Sequence, residues 1–367
     1  MYSNNKNFTV DNCKSILYAS DDSLNTAIEI REYKQTETSE NITINDCYFE
    51  KNGKDELIWL DSWFGNLNYI SVKNCTLKDN GIATSTFFIG GTQNNSVGQN
   101  TLKNVEVSGC KIEKEKYCYR VIKILDEVSQ NCYAENVRFH DNQVEVKSLL
   151  NDSALSDWAG IIAAGDGTII SGSKDIIINN NTIKSNVDVK TVVTSAKTNG
   201  NGNIISMKDN SYYLSKCKYI MIGINNIDGE KFYDLSGNNN VICDVFSRNC
   251  ESISNVTLTL AKTDATNYRG RFISDYNYTG VTTKKIYKCN ITTEDVLITI
   301  VTKDSITDRY TTTIEDSTIN NSANLGSIWF SDLNKAYSDT EPKYGISIKN
   351  SNVAKKSIYG TINVVTE

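Results

Sequence analysis

The stretch Asn41-Ile-Thr-Ile-Asn-Asp-Cys-Tyr-Phe49 joins an alternating, β-branched run to a compact polar step, and that step recurs along the chain. Its last six residues, Ile44-Asn-Asp-Cys-Tyr-Phe49, give the pattern: apolar, any, usually Asn or Asp, then Cys, Asn or Ser, any, and usually apolar. The same order returns at Val10-Asp-Asn-Cys-Lys-Ser15, Val72-Lys-Asn-Cys-Thr-Leu77, Val107-Ser-Gly-Cys-Lys-Ile112, Phe139-His-Asp-Asn-Gln-Val144 and Ile178-Asn-Asn-Asn-Thr-Ile183. It continues at Ile222-Gly-Ile-Asn-Asn-Ile227, Ile286-Tyr-Lys-Cys-Asn-Ile291, Ile314-Glu-Asp-Ser-Thr-Ile319 and Ile348-Lys-Asn-Ser-Asn-Val353, with a degenerate copy at Leu258-Thr-Leu-Ala261. These eleven copies lie 28 to 44 residues apart.

The flanks Ile70-Ser-Val72, Val105-Glu-Val107 and Ile176-Ile-Ile178 read as strands, and helical periodicity is nearly absent. One short strand cannot bury its apolar face alone, but stacked copies build a continuous core. The pattern therefore predicts an all-β solenoid of about eleven coils, with little or no α-helix, as one domain over residues 1–367. The fourth motif position holds Cys13, Cys47, Cys75, Cys110 and Cys289 where other copies carry Asn, Ser or Ala. That equivalence predicts a stacked column of small residues at a tight turn, with thiols reduced and buried, and with Asn side chains bonded along the column.

Composition narrows the function. The chain has 367 residues, a net charge of -6, 45 Asn, one Pro (Pro342) and one His (His140). A single His disfavours a Ser-His-Asp triad and multi-His metal sites. The acidic balance and the lack of a basic stripe argue against nucleic acid. No apolar run reaches membrane-spanning length, and the N-terminus does not read as a signal peptide.

With an Asn-bearing turn between two short strands, the repeat resembles the right-handed parallel β-helix of the pectate-lyase and phage-tailspike superfamily, over roughly residues 7–365. The resemblance implies that each motif spans the end of a second strand, the turn and the start of a third. First strands are then expected at 27–33, 57–63, 86–91, 120–126, 160–166, 204–210, 241–247, 271–277, 296–302, 327–333 and 357–364. In active members of that superfamily the site usually lies on the first-strand face. The polygalacturonase motifs Asn-Thr-Asp, Asp-Asp, Gly-His-Gly and Arg-Ile-Lys are absent, as is the Arg-plus-Pro signature of pectate lyases. His140 is expected to be a surface turn residue.

Asp recurs near the ends of the expected first strands, at Asp61, Asp126, Asp166, Asp209, Asp244, Asp275, Asp304 and Asp332. Asp suits turn starts because its side chain bonds backbone N–H groups. The sharper reading is an acidic groove, with catalysis by Asp166, Asp209 and Asp244. Carboxylates one or two coils apart would suit retaining or inverting glycoside hydrolysis, and a row of them is also a ligand set for Ca2+. The longest spacings place loop insertions at 147–158 and 185–203, which would wall such a groove. Trp158, Lys208, Tyr212 and Tyr213 are the substrate-binding candidates. Trp59 and Trp329 take equivalent strand positions and are expected as a stacked structural pair.

The first motif begins at Val10 and the last coil runs to Val365, so the ends are expected to be covered by other chains or by further sequence. The resemblance then implies a tailspike-like or virion-surface protein, a homotrimer, that recognises and in some cases cleaves bacterial surface polysaccharide. A non-catalytic structural or adhesive β-helix is the alternative, and a secreted polysaccharide lyase or hydrolase the second. No cofactor is implied beyond the Ca2+ option. The location would be the virion tail or the extracellular space.

Overall fold

The computed structural model describes residues 4–18, 20, 25–34, 36–81, 85–91, 100–117, 120–125, 132–149, 160–164, 173–195, 205–263, 269–277, 283–293, 298–302, 310–321, 328–332, 344–354, 358–359 and 362–367. These residues form a parallel β-solenoid, and none of them is helical. One coil shows the plan. The strand Thr38–Asn45 leads through the motif turn into Tyr48–Lys51, a corner follows, and Ile58–Asp61 runs on to the next coil. Each strand pairs in parallel with its counterpart one coil on, so Ile42, Ile44, Phe49 and Leu60 stand beside Ile70, Val72, Leu77 and Ile89. We call the three kinds the bent, post-turn and far strands. Bent strands make a thirteen-stranded sheet, and the other two kinds are joined in a twenty-four-stranded one. The core is a stack of columns: Ile44, Val72, Val107, Phe139, Ile178, Met207 and Ile227 are all fully buried.

The turn explains the motif residue by residue. Its third position has a positive φ in every coil: Asn12, Asp46, Asn74, Gly109, Asp141, Asn180, Asp209, Gly229, Asn255, Lys288, Asp316 and Asn350. Left-handed backbone favours Gly, Asn and Asp, which is why these residues dominate the position. The fourth position points inward. There Asn142 Nδ2 donates to Asn181 Oδ1 at 3.0 Å, Asn181 Nδ2 to Asn210 Oδ1 at 2.9 Å, and Asn210 Nδ2 to Glu230 Oε1 at 2.9 Å. Among the described residues all nine cysteines are free thiols, and all but Cys13 are buried.

The count of eleven coils is not what the structure shows, and the errors fall in one region. The longest spacing conceals a copy, Met207-Lys-Asp-Asn-Ser-Tyr212, whose turn residue is Asp209. The copies placed at Ile222 and Leu258 are each five residues out of register; the true ones are Ile227-Asp-Gly-Glu-Lys-Phe232 and Ile253-Ser-Asn-Val-Thr-Leu258. Accordingly 204–210 is not a first strand. Ile205–Lys208 belongs to the bent sheet, and Val189–Thr194, inside the expected insertion, is the far strand of its coil.

The thirteen-stranded sheet has a second column of left-handed residues, in mid-strand: Asn7, Asn41, Tyr69, Asn104, Asn136 and Asp175. Each lies three residues before the first motif position. Each interrupts the ladder, since pairing skips from Lys6↔Glu40 to Phe8↔Ile42 and from Lys103↔Asn68 to Val105↔Ile70. Both strands carry the residue, so the register stays one-to-one and the left-handed backbone acts as a bend that shifts the inward–outward alternation by one, with Ser39 and then Ile42 facing the core.

Candidate functional site

Of the residues expected to form a catalytic groove, the two carboxylates the structure describes, Asp209 and Asp244, are not brought together. Asp209 and Lys208 are exposed at the motif turn, where the Asp209 carboxylate lies so close over Gly229 that a Cβ there would collide with it. Asp244 is on the far strand Asn240–Arg248, buried, with Arg269 Nε at 3.1 Å and Arg271 Nη2 at 2.8 Å. Two guanidiniums neutralise it, so it is not an open carboxylate on a groove. Tyr212 is a core residue, not a surface one: it is fully buried and stacks on Phe232 at 4.8 Å, continuing through Phe246 to Phe272. Its position follows from the hidden repeat, whose sixth residue must be inward and apolar. Tyr213 is on the opposite side of that strand, half-buried and stacked on Tyr233 at 5.0 Å. Asp166 and Trp158 lie outside the described residues, as do Asp126 and Asp304.

Elsewhere in the Asp row, Asp61 is buried with Arg31 Nε at 3.7 Å. Asp275 is buried and accepts the backbone N–H groups of Asn249 and Thr283, both at 2.7 Å, while burial pushes its carboxyl up to about 6. Trp59 and Trp329 share a column but are nine coils apart, not a stacked pair; the neighbours of Trp59 in register are Glu29 and Phe88. Arg31 Cζ sits 3.5 Å from the Trp59 ring centroid and Phe88 meets the ring edge-on at 5.6 Å, so the indole is used in packing. His140 stands at the end of its bent strand, with Nε2 3.0 Å from Glu106 and Nδ1 2.6 Å from Asp141.

A carboxyl that the sequence did not mark out is Glu230. It takes the inward ladder position, where Asn210 donates to it through both its backbone N–H and its amide. Burial dominates and pushes Glu230 up to about 8. It is closed off from solvent, so its raised proton affinity acts on stability rather than on a ligand.

One solvent-facing concentration of polar chemistry is on the bent sheet. A groove of about 590 Å3 follows the mid-strand bend, lined by Asn41, Thr43, Tyr69, Ile70, Ser71, Asn104, Val105, Glu106, Asn136 and Arg138. Amides bridge its coils: Asn136 Nδ2 donates to Asn104 Oδ1 at 2.8 Å, and Asn104 Nδ2 to Asn68 Oδ1 at 2.9 Å. Arg138 Nε donates to Asn136 Oδ1 at 2.8 Å. Burial alone would raise the Glu106 carboxyl, but Lys73 at 2.7 Å and His140 outweigh it and hold Glu106 below the usual carboxylate range. Tyr69 is 57% exposed with φ of 54°, in a column where the neighbouring coils use Asn.

No family model, no curated protein and no solved structure matches the chain. Among the described residues no group of three or more His, Cys, Asp or Glu side chains is arranged to hold a metal ion.

Proposed function

We propose that this chain is a polysaccharide-binding β-solenoid whose ligand lies in the bent-sheet groove. The observation that carries the reading is Tyr69. A bulky residue in the left-handed region costs on the order of 1–2 kcal/mol. Asn41 and Asn104 show how adjacent coils avoid most of that cost. The ring is also largely exposed, so core packing does not compensate for the strain. A strained, exposed aromatic set among amides, hydroxyls and one guanidinium suits a sugar, whose C–H face rests on a ring while its hydroxyls both donate and accept.

Binding rather than cleavage is favoured by the carboxyls. Acid–base hydrolysis needs one carboxyl with raised proton affinity at the substrate. The groove's Glu106 is held low, whereas the raised Glu230 and Asp275 are buried in the core. The setting attached to this reading, a homotrimeric spike on a virion or another surface structure, rests on the resemblance of the repeat to phage tailspikes and pectate lyases.

The test is a glycan panel titrated against the wild type and Tyr69→Asn, with mass spectrometry of the polymers afterwards. The expected result is binding by the wild type, binding weakened about tenfold or more in Tyr69→Asn, an unchanged or higher melting temperature in the variant, and intact polymer. Absence of binding across the panel, or equal binding by Tyr69→Asn, would overturn the groove. Shortened chains would overturn the non-catalytic reading.

A further inference from the structure

We propose that the groove selects an acidic polysaccharide and that Arg138 receives a sugar carboxylate; the inference rests on the binding role proposed above. Arg138 is exposed, and its Nε is engaged by Asn136. Among the described residues no carboxylate lies within ion-pair distance of its guanidinium. Its register partner across the sheet is Glu106, which would be the natural counter-ion. Glu106 is instead occupied by Lys73 at 2.7 Å and by His140 at 3.0 Å. The neighbouring lysines are paired too, Lys103 and Lys174 both with Glu135. Arg138 therefore leaves an uncompensated positive charge in the groove of a chain whose net charge is -6.

The anchoring matters as much as the charge. With Nε held by the Asn136 amide, the two Nη groups make no hydrogen bond among the described residues and remain as a fork, a geometry that a carboxylate fills with two parallel bonds. Tyr69 lies two coils away through Asn104 and Asn136, about 10 Å along the stack at the usual strand spacing. A polymer with one ring on Tyr69 would present its carboxylate to Arg138 about two sugars further on. The chemical class is thus a glycan with regularly spaced carboxylates, bound along the solenoid axis.

The test titrates hyaluronate and alginate, each beside its neutral carboxyl-reduced form, together with dextran sulfate. The proteins are the wild type, Arg138→Gln and Arg138→Lys, all checked for unchanged melting. The wild type should bind at least one acidic polymer about tenfold more tightly than its carboxyl-reduced form. Arg138→Gln should lose that discrimination. Arg138→Lys should recover only part of it, because an ammonium cannot make the paired contact. Equal binding of charged and reduced forms by the wild type, or discrimination retained in Arg138→Gln, overturns the acidic specificity while leaving the glycan groove intact. Dextran sulfate bound as tightly as the carboxylate polymers overturns the carboxylate assignment. No binding of any polymer, charged or reduced, overturns both this inference and the groove.

Discussion

Two ladders of asparagine run along this solenoid, and they face opposite ways. At the motif turn, Asn142, Asn181 and Asn210 are buried and hand hydrogen bonds from coil to coil until Glu230 ends the series. At the mid-strand bend, Asn104 and Asn136 make the same kind of contact, but at the surface, beside Tyr69 and Arg138. Bonds of similar length do different work in the two places. A buried amide that loses its partner leaves a desolvated donor or acceptor behind, whereas a surface amide exchanges one partner for water. The inner ladder therefore specifies register and stability, and the outer one is free to meet a ligand.

The sharpest way to break that contrast is Asn181→Leu. Asn181 Oδ1 accepts two bonds from Asn142, and its amide donates to Phe139 O and Asn210 Oδ1. Removing it strands donors and acceptors on both neighbouring coils, and the expected loss is about 3–5 kcal/mol. The denaturant midpoint measures it. A change below about 1 kcal/mol would mean that the inner ladder is no more structural than the outer one.

The end of the inner ladder has a pH signature. Folding holds the Glu230 proton up to about 8, while the unfolded chain releases it near the ordinary glutamate value of 4.5. The folded state thus binds more protons between those values. Its stabilising contribution is complete below the lower one and is lost as pH rises through the upper. Glu230→Gln keeps an oxygen for the two Asn210 donors and removes the ionisation. Melting of the wild type should fall several degrees between about pH 6.5 and about pH 8.5. The variant should be flat over that window and more stable than the wild type at its alkaline end. The Asp275 carboxyl, raised to about 6, contributes in the same direction at lower pH and remains in both proteins. A variant that kept the alkaline slope would show that the ladder ends in a neutral or hydrated group.

The turn that carries the inner ladder was largely legible in sequence, because its left-handed third position restricts residue type so strongly that Asn, Asp and Gly mark it coil after coil. Reading failed where chemistry was substituted at fixed geometry. Glu230 replaces Asn at the fourth position, and Met207-Lys-Asp-Asn-Ser-Tyr212 ends in an aromatic that looks like a surface residue until its register is known. The same slip moved Asp209 from a turn to a supposed groove. The outer ladder was equally periodic, three residues ahead of each motif at Asn7, Asn41, Asn104 and Asn136. A strand run such as Asn41-Ile-Thr-Ile44 does not reveal a left-handed bend at its first residue. Arg138 carried no signal at all. Its meaning depends on Lys73 and His140 claiming Glu106, and that competition exists only once three strands are side by side.

The mildest substitution separates the ladders most cleanly. Asn136→Gly removes the amide that donates to Asn104 and accepts from Arg138, but glycine adopts the required φ of 53° without strain. Surface hydrogen bonds of this kind are worth about 1 kcal/mol or less, and the glycine replaces backbone already held in the left-handed region. The expected stability change is therefore within about 1 kcal/mol in either direction. The functional change should be larger, because Arg138 loses the contact that fixes its fork and must order its side chain on binding. Discrimination between an acidic polymer and its carboxyl-reduced form should shrink although the charge is still present. If melting instead dropped as far as it does in Asn181→Leu, the outer amides would be part of the scaffold. If discrimination were untouched, the charge of Arg138 would act without the anchoring that Asn136 provides.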